Sequence, residues 1–202
     1  MLVTFSRMDF SITTTWDSKS VTHPPVHITL KPDPAGMRVD VHGPFFKSPS
    51  PPIAAAGQAC PQLWDYEVVE VFFLNAKDQY VEVELCPHGQ HLVLLLNGRR
   101  NIVKDMLPLD FKAETQETEW RGSAVVPSAY FPPGVNRFNA FAIHGTGIDR
   151  VYEALYPATQ PHSSPDFHRL EYFSTIDISR ISPELLATEP SHVWKPFPAI
   201  RE

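Results

Sequence analysis

Between Glu67 and Leu96 the chain alternates apolar and polar residues with a period of two, a pattern that suits strands and not helices. Val69, Val71 and Phe73 are apolar at the odd positions of the first run, and Val81, Val83 and Leu85 repeat this in the second. Successive side chains of a strand point to opposite sides of a sheet, so these residues are expected to share a core face. A two-residue turn at His88-Gly89 sets Leu85 opposite Leu92 and brings Leu92, Leu94 and Leu96 onto the same face. The other face then carries Glu70, Phe72, Leu74, Tyr80, Glu82, Glu84, Cys86, His91, Val93 and Leu95. A solvated face seldom holds so many large apolar residues, and a closed core seldom holds three glutamates. A partly covered concave face accommodates both. At Asn97-Gly98 a two-residue loop sends Arg100 to the carboxylate face and a three-residue loop sends Asn101 there. The two-residue reading is preferred because it supplies the glutamates with a cation.

Proline narrows the fold further. With 21 Pro against 9 Gly in 202 residues, proline runs at about twice its usual frequency of roughly 5%. Helix interiors exclude it, so the prolines belong in loops between short elements. Strands are expected over residues 66–74, 79–86, 91–96, 100–104, 109–115, 119–126, 137–144 and 150–155, with earlier ones around Phe10–Thr14 and Met37–Val41. Short strands at this spacing predict an all-β chain forming one jelly-roll-like antiparallel β-sandwich over residues 8–180. Residues 181–202 read as a C-terminal tail with a short helix near 183–187, where Pro183 suits a first helical turn.

Several classes of partner are excluded. The formal net charge of −6, with no local run of Lys or Arg, repels phosphate backbones and argues against nucleic acid. The apolar run Leu92–Leu96 is far short of the roughly 18 residues of a membrane span. The opening MLVTFSRMDFSITTTWD lacks a charged segment followed by a long apolar one, so a cytoplasmic location is expected. Cys60 and Cys86 sit in unrelated contexts and are expected to be free thiols. Cys86, His88 and His91 cluster in sequence, but they match no zinc spacing and offer too few ligands unless His144 or His168 joins them; neither a metal nor another cofactor is expected.

The strings Leu63-Trp64-Asp65-Tyr66-Glu67-Val68-Val69-Glu70-Val71-Phe72-Phe73-Leu74-Asn75 and Tyr80-Val81-Glu82-Val83-Glu84-Leu85-Cys86-Pro87-His88-Gly89-Gln90-His91 closely resemble the uncharacterised chromosome-four open-reading-frame-thirty-three family. The resemblance continues through Tyr130-Phe131-Pro132-Pro133, Phe141-Ala142-Ile143-His144-Gly145, Tyr152-Glu153-Ala154-Leu155-Tyr156-Pro157 and Asp166-Phe167-His168. Members begin with a Met-Asp-Phe that corresponds to Met8-Asp9-Phe10, which implies that residues 1–7 are an N-terminal extension. More distantly, Trp64 followed six residues on by Glu70, then Phe72 and a Tyr-x-Glu-x-Glu strand, resembles the family-nine carbohydrate-binding modules and their DOMON-type relatives. That resemblance implies a carbohydrate-binding-module-like sandwich in which Trp64 and Glu70 contribute to a sugar site.

Sugars stack an apolar face on an aromatic ring while carboxylates, amides or Arg take the hydroxyls. Trp64, Glu70, Glu82 and Glu84, with Arg100 and with His144 at the rim, are therefore the expected ligand-binding residues for a small saccharide or similar polyhydroxylated molecule, bound without chemistry. Against this stands a structural reading in which Trp64 caps the sandwich and the glutamates pair with Arg99, Arg100 or Arg150. A glycosidase needs two carboxyls roughly 5 to 9 Å apart, a spacing that Glu82 and Glu84 could approach, but also opposite environments for the acid and the base, which nothing in the sequence marks. A Cys86–His144–Asp166 nucleophilic arrangement lacks a helix N-terminus to activate the thiol. A protein-interaction domain is the third class, and it would expose a broad apolar patch.

Overall fold

A computed structural model describes residues 6–181, 185 and 187–195 of the chain. Thirteen strands follow one another: β1 (Met8–Ile12), β2 (Thr14–Thr15), β3 (Val26–Asp33), β4 (Gly36–Pro44), β5 (Val68–Asn75), β6 (Gln79–Leu85), β7 (His91–Asn97), β8 (Ile102–Lys104), β9 (Asp110–Thr115), β10 (Glu119–Pro127), β11 (Val135–His144), β12 (Val151–Ala154) and β13 (Ser174–Thr175). Among the described residues the only helical elements are short 3-10 turns. The helix expected near 183–187 lies outside the described residues, because 182–184 and 186 are among those left out.

The strands form two antiparallel sheets, one ordered β1-β3-β4-β10-β9 and the other β2-β12-β11-β5-β6-β7-β8, with β13 added on β11. The all-β antiparallel sandwich is thus the observed architecture. Its core joins Ile28, Leu30, Val39 and Val41 of the first sheet to Val69, Val71, Phe73, Val81, Val83 and Leu85 of the second. Near the C-terminus Val193 enters this core, and the Trp194 indole donates to the Tyr130 carbonyl at 3.0 Å.

The second sheet is buried on both sides, and every residue of β5 is buried. Its outer face carries a separate apolar cluster. Segments around Cys60–Leu63 and Phe167–Phe173 fold over Phe72, Leu74, Tyr80 and Phe141 to form a third layer. Strands covered on both faces need apolar residues at even and odd positions alike, which accounts for Phe72 and Leu74 beside the glutamates.

The register of β7 corrects the sequence reading. Leu85 faces His91 and Glu84 faces Leu92, so Val93 and Leu95 point into the sandwich core while Leu92, Leu94 and Leu96 join the glutamates. The cause is turn length. Cys86 donates its N–H to the Gln90 carbonyl at 3.0 Å and Gly89 donates to Cys86 at 2.9 Å, which closes a three-residue loop with Gly89 at φ 93°. Pro87 sets the first turn position and Gly89 takes the left-handed one, a combination that adds one residue to a two-residue turn and flips the strand after it. The same slip turns His91 to the core face and Cys86 to the glutamate face, whereas a two-residue turn would set them opposite one another.

Candidate functional site

Where the covering layer stops short of closing over the second sheet, it leaves a cavity of about 330 Å³. The floor is sheet: Glu70 of β5, Glu82 of β6, Leu94 and Leu96 of β7. Ile143 and Tyr152 extend it across β11 and β12. Trp64 forms one wall; Arg100 and the loop from Pro165 to His168 form the other.

Trp64 sits in a 3-10 turn over Leu63–Asp65, entered through Gln62 at φ 56° and anchored by the fully buried Leu63. Arg150 holds that turn. Its guanidinium donates to the Trp64 carbonyl, to the carbonyls of Asp65 at 3.0 Å and Gly145 at 3.2 Å, and through Nε to the Tyr152 hydroxyl at 3.1 Å. A planar fork with several donors suits such a multi-point clamp. Trp64 is 37% exposed and is not a core residue.

The opposite wall is a polar network. Asp166 Oδ1 accepts from the Arg100 guanidinium at 2.7 Å and from the His168 N–H at 2.9 Å. The Tyr80 hydroxyl lies 2.7 Å from His168 Nδ1 and accepts the Arg100 N–H at 3.2 Å. Burial and the Arg100 charge hold the His168 ring down at about 4, which leaves it neutral and able to accept a hydrogen bond from the Tyr80 hydroxyl. Phe167 packs flat on Phe141, with ring centroids 4.0 Å apart, and fixes the loop to the sheet.

The glutamates set the electrostatics. Glu70 faces Glu84 across β5 and β6, and Glu82 follows two residues before Glu84 on the same face. All three are almost completely buried. Desolvation raises each of them, Glu82 to about 8 and Glu70 and Glu84 well above the usual carboxylate range, with mutual repulsion adding to the effect for the latter two. Arg99 pairs with Glu171 and Arg100 with Asp166, while Arg150 is spent on backbone carbonyls. The arginines that a structural salt-bridge reading assigns to the glutamates are therefore engaged elsewhere. At neutral pH the floor keeps protons, and a protonated carboxyl donates as well as accepts.

Of the residues expected at a ligand site, Trp64, Glu70, Glu82 and Arg100 line one cavity. Glu84 lies beside it on β6, fully buried, with neither carboxyl oxygen hydrogen-bonded. Arg100 arrives by a different route from the one expected. Asn97 and Asn101 close a three-residue loop, Arg100 occupies its left-handed position at φ 58°, and only the length of the side chain carries the guanidinium to Asp166. His144 is a correction. Alternation along β11 sends Phe141 and Ile143 to the cavity face and His144 to the opposite one, where it bonds to Glu153 at 2.8 Å. Tyr152 of β12 is a further lining residue outside the expected set, as are Asp166 and His168, for which no local periodicity marks a loop that returns to a sheet some seventy residues away.

No protein-family model matches the chain. The rat homolog of the UPF0462 protein C4orf33 is 52% identical over 192 residues, which cover 93% of this chain and 96% of the relative. The human UPF0462 protein C4orf33 is 50% identical over the same shares of both chains, and the zebrafish homolog is 48% identical over 93% of this chain and 98% of its own. The chain belongs to the UPF0462 C4orf33 family. Among solved structures, a candidate carbohydrate-binding protein from Bacteroides uniformis aligns with a TM-score of 0.62 over 85% of each chain at 13% identity, which shows a shared fold. No helix among the described residues is long and apolar enough to cross a membrane.

Proposed function

We propose that the cavity binds a small saccharide or a similar polyhydroxylated molecule and holds it without cleaving it. The observation that carries the reading is the convergence of the exposed Trp64 ring with the buried, proton-bearing Glu70 and Glu82 and the Arg100–Asp166 pair around one space of about 330 Å³. That volume is at the small end for small-molecule sites. An aromatic wall offers stacking to the apolar face of a pyranose, and the carboxyl floor offers donors and acceptors to its hydroxyls. The fold neighbour described as a candidate carbohydrate-binding protein supports the same ligand class.

A second reading has one specific observation behind it. Glu82 keeps its proton while Asp166, held by the His168 N–H and Arg100, sits below its usual range, so acid and ionised carboxylate line one cavity. Opposed states of this kind are what glycoside hydrolysis requires. Binding without chemistry is preferred because Asp166 is bonded to Arg100 and the backbone and is not free to act as nucleophile or base. A thermal-shift screen of mono- and disaccharides and nucleotide sugars, followed by product analysis with nitrophenyl glycosides, separates the two. Selective stabilisation without nitrophenol release supports binding, release that Glu82→Gln abolishes supports the enzyme, and no stabilisation by any sugar refutes both.

A further inference from the structure

On the inner side of the second sheet, at its β2-β12-β11 edge, three chemically matched side chains converge. Glu153 lies on β12 opposite Ala142 of β11 and Thr15 of β2, and points inward as Ala142 does. His144 ends β11, and His23 arrives from the loop that precedes β3. Nε2 of His23 is 2.9 Å and Nε2 of His144 is 2.8 Å from the same oxygen, Oε1 of Glu153. One ligand atom from each residue can be chosen so that all three lie within 4.8 Å of one another.

Three features set this cluster apart from an ordinary histidine–carboxylate pair. Glu153 is 0% exposed, yet its Oε2 has no hydrogen-bond partner, a costly arrangement for a buried carboxylate. His23 Nδ1 lies 2.9 Å from the Pro24 carbonyl, which can only accept, so Nδ1 carries the proton. In that tautomer Nε2 aims a lone pair at a carboxyl oxygen, a contact that repels unless a cation lies between them, the ring carries a second proton or the carboxyl carries one. Finally, the rings are held in place: Phe46 stacks on His144 at 3.5 Å and meets His23 edge-on at 4.9 Å. A backbone carbonyl on Nδ1 fixes the His23 tautomer and leaves Nε2 to ligate, which is how metal-binding histidines are oriented.

We propose that His23, His144 and Glu153 form a binding site for a divalent transition-metal ion, zinc foremost, with a fourth coordination position open to water. Two imidazole nitrogens and a carboxylate oxygen are a donor set that zinc accepts in tetrahedral geometry. Bonds of about 2.0–2.2 Å would set the ligand atoms about 3.3 Å apart, so the two short contacts need open only by roughly half an ångström. The His23 side chain is 18% exposed and gives the ion its route in. This site is separate from the sugar cavity, which lies on the other face of the sheet.

The test is metal uptake by the full chain. Protein stripped with a chelator and titrated with zinc should take up one equivalent and gain thermal stability, and cobalt(II) should give the visible absorption of a four-coordinate centre. His23→Asn, a loop substitution chosen to leave the sheet intact, and Glu153→Gln should each abolish the one-equivalent binding, with folding checked by circular dichroism. His42→Ala should leave it unchanged, since His42 pairs with Glu119 on the surface of the other sheet. Absence of stoichiometric uptake, or uptake that survives His23→Asn, overturns the proposal.

Discussion

Glu70, Glu82 and Glu84 occupy the outer face of the second sheet and Glu153 its inner face; all four are buried. Two imidazoles meet on one oxygen of Glu153, whereas among the described residues no Lys, Arg or His pairs with the other three. A carboxylate taken out of water without a cation keeps its proton, so the outer cluster becomes a floor of neutral carboxyl groups. The inner cluster keeps an arrangement suited to positive charge. Strand residues of one type thus acquire different chemistry from the layer that covers them: an indole, a loop and an open space on one side, histidines and Phe46 on the other.

The largest expected effect probes whether both faces are true cores. Phe72 and Phe73 are adjacent on β5, each 0% exposed, and point to opposite faces. Alanine at either should destabilise the chain by about 3–5 kcal/mol in denaturant unfolding. A cost for Phe72→Ala far below that of Phe73→Ala would show that the covering layer is loosely held and would break the comparison.

The next effect is on stability against pH. The folded-state carboxyl of Glu82 binds its proton more tightly than the unfolded chain does. Its contribution is therefore full below the ordinary value of 4.5 and lost as pH rises through about 8. Glu67, raised to about 7 by burial although it accepts the Phe46 N–H, acts in the same sense. The melting temperature should fall by roughly 5 °C or more between pH 5 and pH 9. Glu82→Gln, which stays neutral, should flatten that decline, and an unchanged profile would remove the desolvated floor from the account.

Ligand recognition should respond more modestly. For any sugar that the screen selects, Trp64→Ala should weaken binding by about 1–3 kcal/mol through lost stacking and buried area while leaving the fold intact. Equal affinity in the variant would return Trp64 to a purely structural role. Smallest of all, Arg99→Ala removes an exposed pair with Glu171 and should change stability by less than about 1 kcal/mol. A larger loss would mean that the rim arginines support the glutamates after all.

Alternation alone was enough to separate Val69, Val71, Phe73, Val81, Val83 and Leu85 from Glu70, Glu82 and Glu84, and the strands expected from residue 66 onward match the observed ones closely, whereas β3 (Val26–Asp33) is not among the expected strands. Those assignments are local, because a period of two dictates facing within one strand whatever lies around it. Across a turn the inference depends on loop length. At both Pro87-His88-Gly89 and Gly98-Arg99-Arg100 a left-handed third residue added one position, and the first of these turns moved Leu92, Leu94 and Leu96 to the glutamate face. Glycine made the first of these turns legible in principle; Arg100 at φ 58° gave no such signal. Only the tertiary structure decided that Asp166 and His168 return to the cavity wall and that His23 and His144 meet on Glu153. Those pairings join segments up to 130 residues apart, and nothing in a chain's local periodicity encodes which distant loop closes over which face.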